Sequence, residues 1–466
     1  MIKFVDIIFW SKNRFLRRKS YAAYKKALLF DKLSSNDKQD YSFRKLKQLV
    51  DYAYNHVPYY KKLYDEHNFK PSMLVTPKDW NNVPVLEKDV VRNLSKELLS
   101  NEFKIEDLSI STTSGSTGTP LKVYKEKGLS VEVMGWRCLD WWNVSPSDNM
   151  AKLHRNAGDG FVRTIINQLL WWPTRRVFLN PTSISYENKI RKFVSDINRH
   201  KIVWMQGYCS LIETVADYIL EHKLKTSTLK MIWCTSAPLT PLVRNKMEKA
   251  FGCKIMDQYG CNEMWNIAMQ KKDEPYLTVC SDFVQVDTVD LNNIQTPCGV
   301  LGDILITDLN CKAFPLIRYR LGDKGSFAKF SQDSEDGYPK LNFVKGRISD
   351  NIYMPDGIGK IDGVFLTALC DDFTESISAY QVYQQKDYHV CLRVVLKPGV
   401  SRDCLDIVKL KNKFSDAING ELSWSIEFLD KIPDYKGKKR YIISEINYNM
   451  SGNKISSARV GTGAEE

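Results

Sequence analysis

The stretch LKMIWCTSAPLTPLVRNKMEKAFGCKIMDQYG, residues 229–260, decides the fold class. Met231 to Cys234 is a short unbroken apolar run, as expected of a strand buried on both faces. Thr240 suits a helix N-cap and Pro241 the first helical position, so the spacing predicts a helix to about Phe251. Gly252 is the stop, and Lys254 to Asp257 read as the next strand. The unit is a β-α-β crossover. Ligands in such sheets gather beyond the carboxyl ends of the strands, here TSAP (235–238) and QYGCNE (258–263). Both loops should open on one edge.

Working outward, KIVWMQGYCSLIETVADYILEHK (201–223) reads as a second strand-turn-helix, with Gly207-Tyr208 as the turn. GVLGDILITDLNCKAFPLIRYRLGDKGSF (299–327) reads as strands joined by a polar turn. Residues 1–100 read as mainly helical. FRKLKQLVDYAYNHVPYYKKLYDEHNF (43–69) carries apolar residues at three- and four-residue intervals until Val57-Pro58 interrupts. After VKGRISDNIYMPDG (344–357) the composition changes to a smaller α+β pattern. The expectation is an α/β protein with a large N-terminal domain of layered sheets and helices over residues 1–346. A small α+β domain should follow over 347–460, and a disordered tail over 461–466.

At 466 residues the chain is too long for one small core, which agrees with two domains. Sixty-seven Lys and Arg against 55 Asp and Glu give a net charge of +12, which favours anionic partners. The excess is spread along the chain without a nucleic-acid motif, so no nucleic-acid partner is expected. Eleven cysteines lack the two-residue spacing of a zinc knuckle or redox pair and read as reduced, mostly buried thiols of a cytoplasmic protein. In MIKFVDIIFWSKNRFLRRKS (1–20) the apolar run is short, is broken by Asp6 and lacks a small-residue cleavage site, which argues against a secretory signal. Two readings stand for it: a basic amphipathic helix resting on an anionic membrane, at its inner face, or a helix packed on its own domain.

The chemistry begins at STTSGSTGTPLKVY (111–124). A Ser/Thr/Gly loop is either a plain turn or a backbone cradle for phosphate. Gly115 and Gly118 let the main chain approach a polyanion, and Thr113, Ser114, Ser116 and Thr117 add hydroxyl donors. Neither a Walker lysine nor a dinucleotide fingerprint accompanies it.

Ser114-Gly115-Ser116-Thr117-Gly118-Thr119-Pro120 resembles the phosphate loop of the adenylate-forming superfamily of acyl-CoA synthetases, luciferases and peptide synthetases. Four further motifs follow in that superfamily's order. Tyr259-Gly260-Cys261-Asn262-Glu263 is similar to its Tyr-Gly-x-Thr-Glu loop, and Arg318-Tyr319-Arg320-Leu321-Gly322-Asp323 to its Arg-Tyr-x-x-Gly-Asp segment. Gly346-Arg347 resembles its hinge motif, and IPDYKGKKR (432–440) its C-terminal Pro-x-x-x-Gly-Lys segment. LVDYAYNHVPYYKKLYDE (49–66) and PLIRYRLGDKGSF (315–327) look most like the phenylacetate–CoA ligase branch, and within it the relatives tied to capsule and O-antigen polysaccharide biosynthesis.

The resemblance implies a mobile C-terminal domain and an enzyme that joins a carboxylic acid to AMP, with ATP and Mg2+ as cofactors. Residues 113–118 would hold the β- and γ-phosphates. Ser236-Ala237-Pro238 and Gln258-Tyr259-Gly260 would flank the adenine, and Asn262 would lie near the α-phosphate. Glu263 would bind Mg2+, Asp323 the ribose hydroxyls, and Arg347 the ribose or phosphate. Lys438 would be the catalytic lysine, bridging the attacking carboxylate and the α-phosphate. Ser349 and Asp350 occupy the hinge, where the family usually places Asp or Lys at the first of the two. Asn262 replaces the usual Thr or Ser. Cys280 follows without a histidine, so no structural zinc is expected. Tyr208 and Trp265, with Trp204, are candidates for the acid pocket, although aromatic residues beside strands are more often core. The acceptor reads as an amino sugar's amine, a sugar hydroxyl (either on a nucleotide-linked sugar) or a thiol; the alternative is a phenylacetate-type ligase that uses CoA. A nucleotide-binding accessory protein is the non-enzyme reading, opposed by the retained Glu263, Asp323 and Lys438.

Overall fold

The computed structural model describes residues 3–113, 121–127, 131–153, 171–179, 186–237, 239–329, 331, 334–345, 352–355, 360–361, 366, 369–373, 375–402, 405–418, 422–433 and 441–446. It divides into two compact units, Met1–Leu239 with Val243–Lys345, and Thr240–Leu242 with Gly346–Glu466.

The large unit begins with helices α1 (Phe4–Leu16), α2 (Arg18–Asp31), α3 (Ser35–His56), α4 (Pro58–Glu66) and α5 (Lys88–Asn93). Ser34 caps α3 by accepting from the Asp37 amide. Val57 is extended, and Pro58 then serves as the first residue of α4, so the expected interruption is a junction between two helices. Among the described residues, no helix is long and apolar enough to cross a membrane.

A hairpin follows, β1 (Leu108–Thr113) antiparallel to β2 (Leu121–Glu126), with Thr113 opposite Leu121. Helix α6 (Val131–Trp141) precedes an eleven-stranded sheet. One side of it is parallel: β4 (Arg176–Leu179), β3 (Met150–Leu153), β5 (Trp204–Tyr208), β6 (Met231–Thr235) and β7 (Lys254–Tyr259), in that spatial order. The crossover helices are α7 (Tyr186–Arg199), α8 (Cys209–Glu221) and α9 (Pro241–Phe251). Strand Met231–Thr235, buried over its first four residues, and strand Lys254–Tyr259, buried at Ile255 and Met256, reproduce with the helix from Pro241 the crossover read from residues 229–260. Gly252 closes its helix at φ +68°. The second unit differs in one respect: Gly207 and Tyr208 belong to β5 and lead directly into α8, without the expected turn. Gly207 is needed there because a Cβ would stand 2.7 Å from that of Leu153 on β3.

At β7 the sheet changes character. β8 (Ala268–Gln270), β9 (Leu277–Val279), β13 (Lys340–Lys345), β12 (Tyr319–Phe327), β11 (Gly302–Asp308) and β10 (Val284–Val289) continue it as antiparallel neighbours. The helical N-terminus shares the core of this half. Val50, Tyr60, Tyr64 and Trp80 are buried with Ile304, Ile306 and Tyr319, and the Tyr60 hydroxyl donates to the Pro315 carbonyl at 2.9 Å. Burial of such side chains contributes roughly 1.5–3 kcal/mol each.

The second unit holds the hairpin β14 (Ile352–Tyr353) and β15 (Lys360–Ile361) and a four-stranded sheet. In that sheet β16 (Ile377–Gln384) and β17 (Val390–Leu396) are antiparallel, with β19 (Ile442–Ser444) and β18 (Trp424–Phe428) added in parallel at the two edges. Helix α10 (Ile407–Ala417) buries Leu410 and Phe414 with Ile377, Leu392 and Val394.

Candidate functional site

Strands β6 and β7 are adjacent and parallel, so Ser236-Ala237 and Tyr259-Gly260 leave the sheet on the same edge. Ser236 takes a left-handed φ of +76° as the chain turns out of β6.

The loop after β7 is closed upon itself. The Ile267 amide donates to the Tyr259 carbonyl at 3.0 Å, and the Trp265 amide to the Cys261 carbonyl at 2.5 Å. The Gln258 side-chain amide donates to Asn266 Oδ1 at 2.5 Å, and its oxygen accepts from Trp233 Nε1 at 2.8 Å. Gly260 is obligatory: a Cβ there would stand 1.7 Å from the Trp265 carbonyl oxygen.

The loop presents Glu263, whose side chain is buried. Its Oε1 accepts from the Tyr319 hydroxyl at 3.4 Å and lies 3.7 Å from Lys88 Nζ. Lys88 arrives through a backbone bridge: Leu86 donates to the Arg318 carbonyl and accepts from the Arg320 amide, which lays residue 86 along the start of β12. Its Nζ also donates to the Leu321 carbonyl at 3.1 Å. Among the described residues, no three His, Cys, Asp or Glu side chains converge into a metal cage. A cation at Glu263 would thus take this carboxylate together with phosphate or water oxygens, a donor set that fits Mg2+.

Asp323 lies on β12 after Gly322, which sits at φ +85°. The Tyr259 hydroxyl donates to Asp323 Oδ2 at 2.8 Å. Burial and the neighbouring Asp323 carboxylate raise the Tyr259 pKa well above the ordinary phenol value, which keeps it a donor. Arg318, first residue of the same motif, is fully buried at φ +47° and donates to the carbonyls of Trp80, Val83 and Asn293. Its role is to hold the chain entering β12.

The hairpin is fastened to this loop at one atom. The Asn262 carbonyl accepts from Ser111 Oγ on β1 at 3.1 Å and from Lys125 Nζ on β2 at 3.0 Å. The Lys125 ammonium also stands 3.4 Å from the centre of the Trp265 ring. Burial pushes the Lys125 pKa down to about 8.

The structure therefore groups Gln258, Tyr259, Gly260, Asn262, Glu263, Trp265 and Asp323, with Ser236 and Ala237 on the adjoining strand end. Thr113 is the last residue of β1. Tyr208 ends β5, next to β6. Trp204 is core, stacked near Trp233. Ser114 to Gly118, Pro238, Arg347, Ser349, Asp350, Lys438 and the 461–466 tail lie outside the described residues. Lys88, Lys125 and the Tyr319 hydroxyl were not singled out by sequence. Lys88 and the Tyr319 hydroxyl reach the site through pairings distant in the chain, although Tyr319 lies within the Arg-Tyr-x-x-Gly-Asp segment, and Lys125 falls just beyond the 111–124 stretch.

The AMP-binding enzyme family matches residues 38–310, and the chain belongs to that family. It is an ATP-dependent, AMP-forming acid ligase. Protein CapK of Staphylococcus aureus is 21% identical over 428 residues, covering 88% of this chain and 90% of that protein. Phenylacetate-coenzyme A ligase of Thermus thermophilus is 24% identical over 290 residues, and the match spans 60% of this chain and 63% of that enzyme. A crystal structure of 2-hydroxyisobutyryl-CoA ligase in the postadenylation state superposes with a TM-score of 0.69 at 18% identity, covering 87% and 89% of the two chains. That likeness bears on the fold alone.

Proposed function

We propose that the enzyme activates a carboxylic acid with MgATP and passes the acyl group to an amine, hydroxyl or thiol acceptor in capsule or O-antigen polysaccharide assembly. The observation that carries this reading is the end-to-end likeness to Protein CapK, which accords with the capsule relatives the sequence resembles. In the first step a carboxylate oxygen attacks the α-phosphorus, the bond to the β-phosphate breaks, and pyrophosphate leaves. In the second the acceptor attacks the acyl carbon, loses its proton, and AMP leaves.

The site residues have definite tasks in this scheme. Asp323, oriented by the Tyr259 hydroxyl, accepts the ribose hydroxyls. Ser236-Ala237-Pro238 and Gln258-Tyr259-Gly260 enclose the adenine, and residues 113–118 hold the β- and γ-phosphates through N–H and hydroxyl donors. Glu263 would hold Mg2+, which would supply neutralisation of phosphate charge. Asn262 lies near the α-phosphate, Arg347 binds ribose or phosphate, and Lys438 bridges the two reacting anions.

The second reading, transfer to CoA, is favoured by the phenylacetate-coenzyme A ligases among the relatives. Carboxylate-dependent ATP–pyrophosphate exchange over a panel of amino, hydroxy and aryl acids tests both. Exchange should fall about 100- to 1000-fold in Lys438→Ala. No exchange with any acid would overturn the reading, and trapping the product with CoA or with nucleotide-linked amino sugars separates the acceptors.

A further inference from the structure

Helix α1 is two-faced. Its inner face is pinned: Lys3 Nζ lies 2.6 Å from Asp148, Asp6 accepts from Ser145 Oγ at 2.6 Å, and Trp10 stacks on Tyr24 at 4.7 Å. Buried Phe9 meets Trp136 edge-on. The opposite face is bare and mostly apolar, with exposed Ser11 between Ile7 and Phe15. Phe4 is 75% exposed, Ile7 55% and Phe15 69%. Their spacing of three and eight residues sets them in one row about 16 Å long. Exposed Trp172 is tied to the same helix, where Lys12 Nζ donates to its carbonyl at 3.1 Å.

The charge around this row has one sign. Residues 3–32 carry nine Lys or Arg and two Asp. Of the two acids, Asp6 is turned inward to Ser145 and Asp31 meets buried Arg137. Arg14, Arg18 and Lys19 are exposed at the end of the row. Bulky apolar side chains, an exposed indole and surrounding cations are the combination that enters the boundary between headgroups and acyl chains of an anionic bilayer.

We infer that the outer face of α1, with Trp172, is a peripheral docking surface for an anionic lipid bilayer. The helix lies in the plane of the membrane; Phe4, Ile7 and Phe15 insert, while Arg14, Arg18 and Lys19 meet the headgroups. None of the residues of this surface is among those placed at the nucleotide, so lipid binding and adenylation can be lost independently.

The test is co-sedimentation of the full chain with vesicles of phosphatidylcholine containing about one-third phosphatidylglycerol, against phosphatidylcholine alone. The protein should pellet with the anionic vesicles, less so at high salt, and weakly with the neutral ones. Combined Phe4→Ser, Ile7→Ser and Phe15→Ser should lower the partition at least about tenfold. Combined Arg14→Gln, Arg18→Gln and Lys19→Gln should remove the preference for anionic lipid, and it decides the matter if the first variant fails to fold. ATP–pyrophosphate exchange should be unchanged in both. Equal pelleting with neutral and anionic vesicles, or wild-type partition by the variants, would overturn the proposal. So would a dimer in sedimentation velocity that the apolar variant abolishes while wild type ignores vesicles, since the face would then belong to a second copy.

Discussion

Lys125 is a single cation held against its own solvation. With its pKa lowered to about 8 from the ordinary lysine value of about 10.5, the unfolded chain binds more protons than the folded one between those values. Stability attributable to Lys125 therefore rises as pH increases across that window, and at neutral pH the buried charge costs of order 3 kcal/mol. In return, the ammonium joins the strand leaving the 114–120 segment to the loop that carries Glu263. Lys125→Met should leave the unfolding midpoint unchanged or raise it, while kcat/KM for adenylation falls about tenfold or more. In the wild type the same parameter should decline as pH rises through 8. A variant that loses stability and activity in proportion would mean that Lys125 is only structural.

The element that organises the site is the loop between β7 and β8, and its tightest point is Gly260. No side chain fits 1.7 Å from a carbonyl oxygen, so Gly260→Ala must open the bonds from Ile267 to Tyr259 and from Trp265 to Cys261. Adenylation should drop at least about 100-fold, at a stability cost of about 1–3 kcal/mol by denaturant unfolding. The β6-α9-β7 crossover that leads here was legible almost to the residue, because a strand buried on both faces, Pro241 and Gly252 are local signals. Gly207-Tyr208 was misread as a turn because the reason for that glycine is Leu153 on a neighbouring strand, 54 positions earlier. The motif order indicated Glu263 and Asp323, but what orients them is long-range. Tyr319 reaches Glu263 from 56 residues away and Tyr259 reaches Asp323 from 64, and no window of sequence contains either pair.

At the scale of the large unit, Arg137 on α6 ties separate parts together. Its fully buried guanidinium makes a bidentate pair with Asp282, at 2.8 and 3.0 Å, and meets Asp31 at 3.5 Å and the Tyr338 hydroxyl at 3.4 Å. Arg137→Met leaves the Asp282 carboxylate uncompensated in the interior and should destabilise the unit by about 3–5 kcal/mol. Pairing it with Asp282→Leu should recover most of that loss, read from urea midpoints of the single and double variants. A double variant no more stable than Arg137→Met would assign the effect to packing with Trp141 and Phe283 instead.

The helical N-terminus also has consequences for synthesis. Lys38 donates to the carbonyl of Asp336, 298 positions on, and the Tyr338 hydroxyl pairs with Asp31 across 307. At usual elongation rates, the first helices wait roughly 15–60 s for partners the ribosome has not yet made. During that interval the apolar faces later covered by Ile304, Ile306 and Tyr319 are open to other nascent chains. Holding chaperones should therefore raise the yield of native enzyme more than slower induction does. Residues 1–100, expressed alone, should aggregate instead of forming an independent helical module.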